Sequence, residues 1–285
     1  MKEHRGDFAV EKMCKVFEVG RSGFYDWLTR KTSKRAIERE VLTKEIRKIY
    51  EESKGRYGSP KITIELNDRS FCVSRPRIAR IMRAEGIRST ISKKFRVCTT
   101  DSAHGLKISP NLLDRNFNPT TPAKAWVSDI TYIRTKEGWL YLTIIMDLYD
   151  RKIIGWAMST TMFASETIIP AWRMAKINRP FIKNLMFHSD RGVQYACEEF
   201  RSELNPEKVL QSMSRKGNCW DNAVAESFFK ILKSETSYRK YESIRHAKQE
   251  IFNFIEIWYN RKRRHASLGY LTPETFGKTF KKTTY

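Results

Sequence analysis

Long apolar runs are missing from this sequence: none reaches the roughly 18 residues that a membrane-spanning helix requires. Its basic residues are dispersed rather than set along one amphipathic helix, which argues against a membrane surface as their partner. Cysteine is sparse and unpaired in pattern. The five residues Cys14, Cys72, Cys98, Cys197 and Cys219 are odd in number and widely spaced, which excludes a zinc-finger spacing and points to reduced thiols. The opening MKEHRGDF has no secretory leader pattern, so the cytoplasm is the expected compartment. No heptad run that would code a leucine zipper is visible. Negative charge is scarce as well, with 32 acidic residues against 54 basic ones and a net charge of +22. Both halves share the excess, +12 over residues 1–120 and +10 over residues 121–285. Both are therefore expected to meet phosphate, and nucleic acid is the expected partner. The 285 residues, 40% hydrophobic and 12% aromatic, suit two globular domains.

The most informative stretch is 218–235, NCWDNAVAESFFKILKSE. It reads as a helix: Asp221 or Asn222 can cap its start, and Lys233 sits where the C-terminal dipole favours a cation. On a 3.6-residue period Asn222, Glu226, Lys230 and Lys233 share one polar face, while Val224, Phe228, Ile231 and Leu232 point elsewhere to pack. Taken alone, that face is also what an ordinary solvated Glu–Lys pair would produce.

Two aspartates upstream give Glu226 company. The segment 126–133, WVSDITYI, has apolar residues on both alternating faces, as a central strand covered on both sides would. Asp129 is costly there, and a bound cation would compensate it. The segment 185–190, LMFHSD, ends in Asp190 followed by Arg191-Gly192, the pattern of a strand opening into a loop, where sites in α/β sheets lie. Thirty-five residues separate Asp190 from Glu226.

With that spacing, Asp129 in WVSDITYI, Asp190 in HSDRGVQY and Glu226 in DNAVAESFFKILKSE resemble the two-aspartate-one-glutamate transposases related to retroviral integrases. The segments GWLYLTIIMDLYDRKIIGW, KGNCWDNAVAESFFK and RKRRHASLGYLTPETF are similar to the second-reading-frame product of the bacterial "insertion sequence three" family, so the resemblance covers nearly the whole chain. It implies a ribonuclease-H-like α/β core, a mixed sheet with flanking helices, preceded by an all-α helix-turn-helix region. It also implies Asp129, Asp190 and Glu226 as catalytic and metal-binding residues, and Lys233 and Lys230 as contacts to the terminal DNA. Asn222, Arg191 and Lys216 are further candidate DNA contacts beside the triad. The family's activity is 3′-end cleavage at element termini followed by strand transfer into target DNA. A homo-oligomer on DNA is expected, and a first-frame product fused by frameshift is a further possible partner. The viral zinc-binding pattern ahead of the core is missing, as befits the bacterial branch.

In chain order, residues 8–30 read as a helix-turn-helix outline or, equally, an unrelated helical hairpin, with Phe8, Met13, Val16, Val19 and Tyr25 available for a small core. A three-helix unit follows, with Leu42, Ile46, Ile49 and Tyr50 on its first helix, Ile62 and Leu66 on its second, and Ile78, Ile81 and Met82 on its third. Ser74 would cap the third helix, whose Arg75, Arg77, Arg80 and Arg83 suit a DNA backbone or groove or, equally, a solvated basic face. The expected organisation is a helix-turn-helix region over 1–90, a linker over 91–122, where Ser, Thr, Asn and Pro accumulate, and a catalytic core with a basic helical tail over 123–285. Antiparallel strands at 126–133, 139–147 and 152–157 open that core. His188 reads as a packed strand residue rather than a ligand, and Asp147 and Asp150 as turn residues or partners of Arg151. The tail's RKRRH cluster suits DNA contact or a solvated C-terminus, and the alternation of aromatic and basic residues through Trp258-Tyr259-Asn260-Arg261 favours DNA.

Three clustered carboxylates repel unless their pKa values rise or divalent cations join them, and oxygen-only donors point to Mg2+ or Mn2+, two ions about 3.5–4 Å apart. Two other functions fit parts of the pattern. A metal-dependent nuclease of the same fold, such as a junction resolvase, would use the same carboxylates, whereas a non-catalytic helix-turn-helix regulator would need none of them.

Overall fold

The structure, a computed structural model, describes residues 1–90, 105–181, 183–205, 207–236 and 241–283. Cys98 and residues 91–104 of the expected linker lie outside these residues. The chain divides into two compact units, Met1–Ser89 and Thr90–Tyr285. Among the described residues, Cys14, Cys72 and Cys197 are free thiols, and no helix is long and apolar enough to cross a membrane.

The first unit is all-helical: α1 (Val10–Val16), α2 (Arg21–Thr29), α3 (Lys34–Glu52), α4 (Ser59–Asp68) and α5 (Arg75–Ala84). Leu42, Ile46 and Ile49 of α3, Ile62 and Leu66 of α4 and Ile78, Ile81 and Met82 of α5 are all buried, as their 3.6-residue spacing requires. Ser74 occupies the N-cap of α5 without a side-chain capping bond, and Pro76, whose missing N–H costs nothing in a first turn, follows it. The hairpin core differs from the expected one. Met13, Cys14 and Phe24 are buried, whereas Phe8, Val16, Val19 and Tyr25 are exposed. Helices of seven and nine residues can bury only one narrow stripe each, and Phe24, ringed by Tyr25 and Trp27 at 5.6 and 6.2 Å, takes that place.

The second unit is built on a five-stranded sheet of order β3-β2-β1-β4-β5, with β1 at Ala125–Thr135, β2 at Gly138–Asp147, β3 at Ile153–Ser159, β4 at Leu185–Ser189 and β5 at Val209–Met213. The first three strands are antiparallel and β4 and β5 are parallel to β1. This is the mixed sheet that the resemblance implies. The short turns at 136–137 and 148–152 allow only antiparallel neighbours, and the helices between β3, β4 and β5 provide the longer crossovers that parallel pairing needs.

One face of the sheet is covered by α6 (Ile168–Asn178), α7 (Val193–Ala196) and α8 (Glu198–Glu203). Its core is aromatic: Trp172 meets Trp126, Phe187 and Phe200 edge-on at ring distances of 5.5, 5.4 and 6.4 Å. The other face receives α9 (Ala223–Glu235) and α10 (Ile244–Phe252), the latter continuing as a π-helical segment, Asn253–Tyr259. There Phe228 packs against Phe254 and Tyr259 at 6.2 and 4.8 Å. The last helix, α11, spans Pro273–Thr283.

Three expectations need correction. Residues 109–115, placed in the linker by composition, are seated on the second unit: the backbone N–H groups of Leu112 and Leu113 donate to Ser212 Oγ at 2.9 and 3.2 Å, and Leu113 is buried. Polar residues here satisfy fixed hydrogen bonds rather than solvate a tether. Asp147 and Asp150 do brace the turn, accepting from the Tyr149 and Lys152 backbone N–H groups at 2.9 and 3.1 Å, but their cation is Arg179 rather than Arg151, at 2.7 and 2.6 Å, and that buried pairing raises the Arg179 pKa against its burial. In the RKRRH cluster Arg263 and His265 are buried, and Arg263 bonds Glu235 at 2.9 Å, so only part of that cluster remains for DNA.

Gly155 shows how closely α6 lies on β3: a Cβ there would meet Ala171 O at 2.2 Å and Ala175 Cβ at 2.8 Å. Gly155→Ala is expected to lower unfolding free energy by roughly 3 kcal/mol, the upper range for overpacking against backbone, read as a fall in the urea midpoint. An unchanged midpoint would show that the helix is free to retreat.

Candidate active site

Asp129 lies near the middle of β1, and Asp190 is the first residue beyond β4. The parallel pairing Val127↔His188, continued two steps along both strands, sets the two aspartates side by side. Side-chain alternation turns both toward the α9 face, since Trp126 and Phe187 point into the aromatic core on the other side. Glu226 lies in the first turn of α9, which packs across β1. The three carboxylates thus come from the middle of one strand, the end of its neighbour and the start of one helix.

Their charges act on one another. Burial raises the Asp129 pKa well above its ordinary value, Asp190 and Glu226 raise it further, and the Ile130 backbone N–H and Lys233 oppose the rise. The Ile130 N–H donates to Asp129 Oδ1 at 2.8 Å. Among the described residues, no group of three or more His, Cys, Asp or Glu side chains is gathered closely enough to hold a metal ion. Asp190 is set by a tight turn in which the Gly192 N–H donates to its Oδ1 at 2.9 Å. A Cβ on Gly192 would press on that same oxygen at 3.0 Å.

Of the expected basic residues, Lys233 is half-buried and bears on Asp129. Lys230 is exposed and lies 3.8 Å from Glu226 Oε2, the i,i+4 pair expected of this helix face. Lys216 is exposed in the loop before α9. Arg191 donates through Nε to Ser214 O at 2.6 Å and so braces the end of β5. In the first unit Arg75 and Arg80 are exposed, while Arg77 pairs with Glu38 at 2.8 Å.

Asn222 departs from its expected role. It stands at the N-cap of α9 but makes no side-chain capping bond. It is buried, and its Nδ2 donates to Ser128 O at 3.2 Å, one residue from Asp129. Asp221 does not cap the helix either. Its carboxylate accepts from Arg215 Nε and Nη2 at 2.9 and 2.8 Å, from Arg115 Nε at 3.0 Å and from Asn111 Nδ2 at 3.1 Å. Arg215 above all holds its pKa below the usual carboxylate range.

Two supporting residues, Ser128 and Tyr195, carried no sequence signal of their own. The Tyr195 hydroxyl lies 2.9 Å from Ser128 Oγ, and Ser128 donates to Ile144 O at 2.8 Å. Burial, then Asp190 and Asp129, raises the Tyr195 pKa well above its ordinary value, so the ring presents a neutral hydroxyl beneath the acidic residues. His188 is buried between Ser212 and Ser214 at 2.8 and 3.2 Å. Burial lowers its pKa to about 4, so it is a neutral packed residue near neutral pH, as the strand pattern indicated. Only a partner's position in space identifies such residues, and two of these bonds span more than 60 positions of sequence.

Two family descriptions cover the second unit: Integrase core domain matches residues 119–219, and a second Integrase core domain description matches residues 207–273. HTH-like domain matches residues 36–95. Transposase InsF for insertion sequence IS3A of Escherichia coli (strain K12) is 39% identical over 279 residues, 97% of this chain and 96% of that protein. An uncharacterized 31 kDa protein of insertion element IS600 from Shigella sonnei is 39% identical over 269 residues, 94% of this chain and 98% of that protein. A chain of the simian T-cell lymphotropic virus intasome covers 81% of this chain and 73% of its own at 13% identity and a TM-score of 0.47, a likeness too distant to bear on activity. With an HTH-like domain, an integrase core and near end-to-end identity to InsF, the chain belongs to the IS3 family of insertion-sequence transposases.

Proposed function

We propose that the chain cleaves the 3′ ends of its insertion sequence and joins them to target DNA, with Asp129, Asp190 and Glu226 as the catalytic residues. The observation that carries this reading is the electrostatic meeting of the three side chains at Asp129, in a chain of this family. Asp190 and Glu226 raise the pKa of Asp129, and oxygen-only donors set against one another in this way are the donor chemistry of a hard divalent cation, so these residues would hold Mg2+ or Mn2+. When bound, two such ions would activate a water or 3′-hydroxyl and stabilise the leaving oxygen of an in-line displacement.

The chain's own residues do the rest. The turn at Gly192 orients Asp190, the Asn222–Ser128 bond fixes the start of α9 against β1, and Tyr195 holds Ser128 from below. Lys233 and Lys230 offer cations to the DNA end beside the carboxylates. Exposed Arg75 and Arg80 of α5, within the region matched as HTH-like, offer phosphate contacts away from the chemistry. Two ends must be joined in one event, so the working form is an oligomer on DNA. A first-frame product fused by frameshift would add the zipper that this chain does not code.

Asp129→Asn, Asp190→Asn and Glu226→Gln are each expected to abolish cleavage and strand transfer on element-end DNA while leaving the fold intact, with a melting temperature no lower than that of wild type, since each removes repelling charge at nearly constant volume. Strand transfer above a few per cent of wild type in any one of them would remove that residue from the site. Mg2+ or Mn2+ should support the reaction while Ca2+ permits binding with little chemistry, because its looser shell misplaces the in-line geometry; full activity in EDTA would end the metal mechanism. Replacing Arg75 and Arg80 together with Ala should lower the slope of log K against log salt by about 2, roughly 0.9 per lost phosphate contact. An unchanged slope would take α5 off the DNA.

A further inference from the structure

Trp220 stands out in the loop that leads into α9, six residues before Glu226. It is 69% exposed, although a tryptophan commonly buries 150–250 Å² of surface in a folded protein. The loop that carries it is firmly held. Its backbone N–H donates to Asn218 Oδ1 at 3.2 Å, in a 3-10 turn spanning Cys219–Asn222. The next residue, Asp221, is gripped by Arg215 and Arg115, and the one after, Asn222, is bonded to Ser128 O beside Asp129. A large flat ring is therefore held out in water by a rigid mount two residues from a direct contact with the Asp129 strand. Exposed Lys216 precedes it and exposed Lys230 follows on α9.

We infer that Trp220 is a stacking plate for an unpaired base at the end of the DNA whose 3′ strand enters the carboxylates. The inference rests on the transposase reading. A paired terminus must open to let one strand reach three carboxylates recessed against the sheet, and the base released in that opening needs a hydrophobic face. A tryptophan ring supplies one without sequence preference, and neighbouring lysines hold the phosphates on either side of the base. A loop pinned through Asp221 and Asn222 presents that ring with little ordering left to do on binding.

The test uses the full chain and a duplex bearing the element's terminal sequence, with 5-iodouracil at each of the last positions in turn. On irradiation in Ca2+, an adduct should form on the tryptic peptide 217–230, GNCWDNAVAESFFK, and should disappear in Trp220→Ala. Strand transfer in Mg2+ should fall roughly tenfold in Trp220→Ala on a paired end, within the range for one lost base–aromatic stack. It should fall much less on an end with mismatched terminal pairs, and Trp220→Phe should keep most activity on both. Adducts confined to other peptides, or equal loss on paired and mismatched ends, would overturn the inference. So would sedimentation showing that Trp220→Ala dissociates the protein without DNA, since the ring would then be a protein contact. If wild type transfers strands and Trp220→Ala matches it, the stacking role alone falls. If wild type yields no product with either metal, the transposase reading fails and this inference with it.

Discussion

The repulsion felt at Asp129 is the constraint around which the second unit is arranged. A carboxylate in the central strand of a sheet is desolvated by its setting, and Asp190 and Glu226 add negative potential to that burial. Such an arrangement costs stability, and the surrounding structure holds it in place. The aromatic core under β1 and β4 makes the sheet rigid, the Tyr195–Ser128–Ile144 chain of hydrogen bonds ties β1 to its neighbours, and the β1–β4 register keeps the two aspartates from moving apart. On the proposed reading, a divalent cation held by these carboxylates would offset that repulsion.

The second acidic grouping in this unit resolves its charge in the opposite way. Asp147 and Asp150 are fully buried, yet Arg179 bridges them at 2.7 and 2.6 Å, and backbone N–H groups of Ala123 and Lys152 complete their bonding. Desolvation, the largest influence on Asp147, raises its pKa, and Arg179 offsets part of the rise. Because Asp147 pairs with Trp126 across the sheet, this cluster lies three residues along β1 from Asp129. Asp147 and Asp150 have a guanidinium built in as their counter-charge, whereas at the triad the nearby lysine only moderates the repulsion. On the proposed reading, that difference distinguishes carboxylates kept for structure from carboxylates kept for function.

Sequence pattern revealed the strands, the antiparallel pairing of the first three and the positions of Asp129, Asp190 and Glu226, because each rests on local information: alternation, turn length, and an acid where apolar residues belong; the rest of the sheet order followed only from the family resemblance. It misplaced Asn222 and Asp221 because capping preference speaks only to the helix start. Asn222 instead bonds Ser128, and Asp221 takes Arg115 and Asn111 besides nearby Arg215; all but Arg215 lie about a hundred residues away. It mistook residues 109–115 for linker for the same reason, since a Ser/Asn-rich stretch looks alike whether its polar groups meet water or Ser212. In the α1–α2 hairpin, two short helices offered more apolar residues than one contact could bury, and periodicity alone did not choose Phe24 over Tyr25.

The central claim is that Asp129, Asp190 and Glu226 form a single metal site. Loading the protein with Fe2+ in place of Mg2+ and adding peroxide and ascorbate cuts polypeptide next to wherever the ion resides. Cuts are expected near residues 129, 190 and 226 together, competed away by Mg2+ or Mn2+ and lost as a set in Glu226→Gln. Cuts centred instead on 147–150, or cuts at the three positions that respond separately to competitor and mutation, would contradict a shared site.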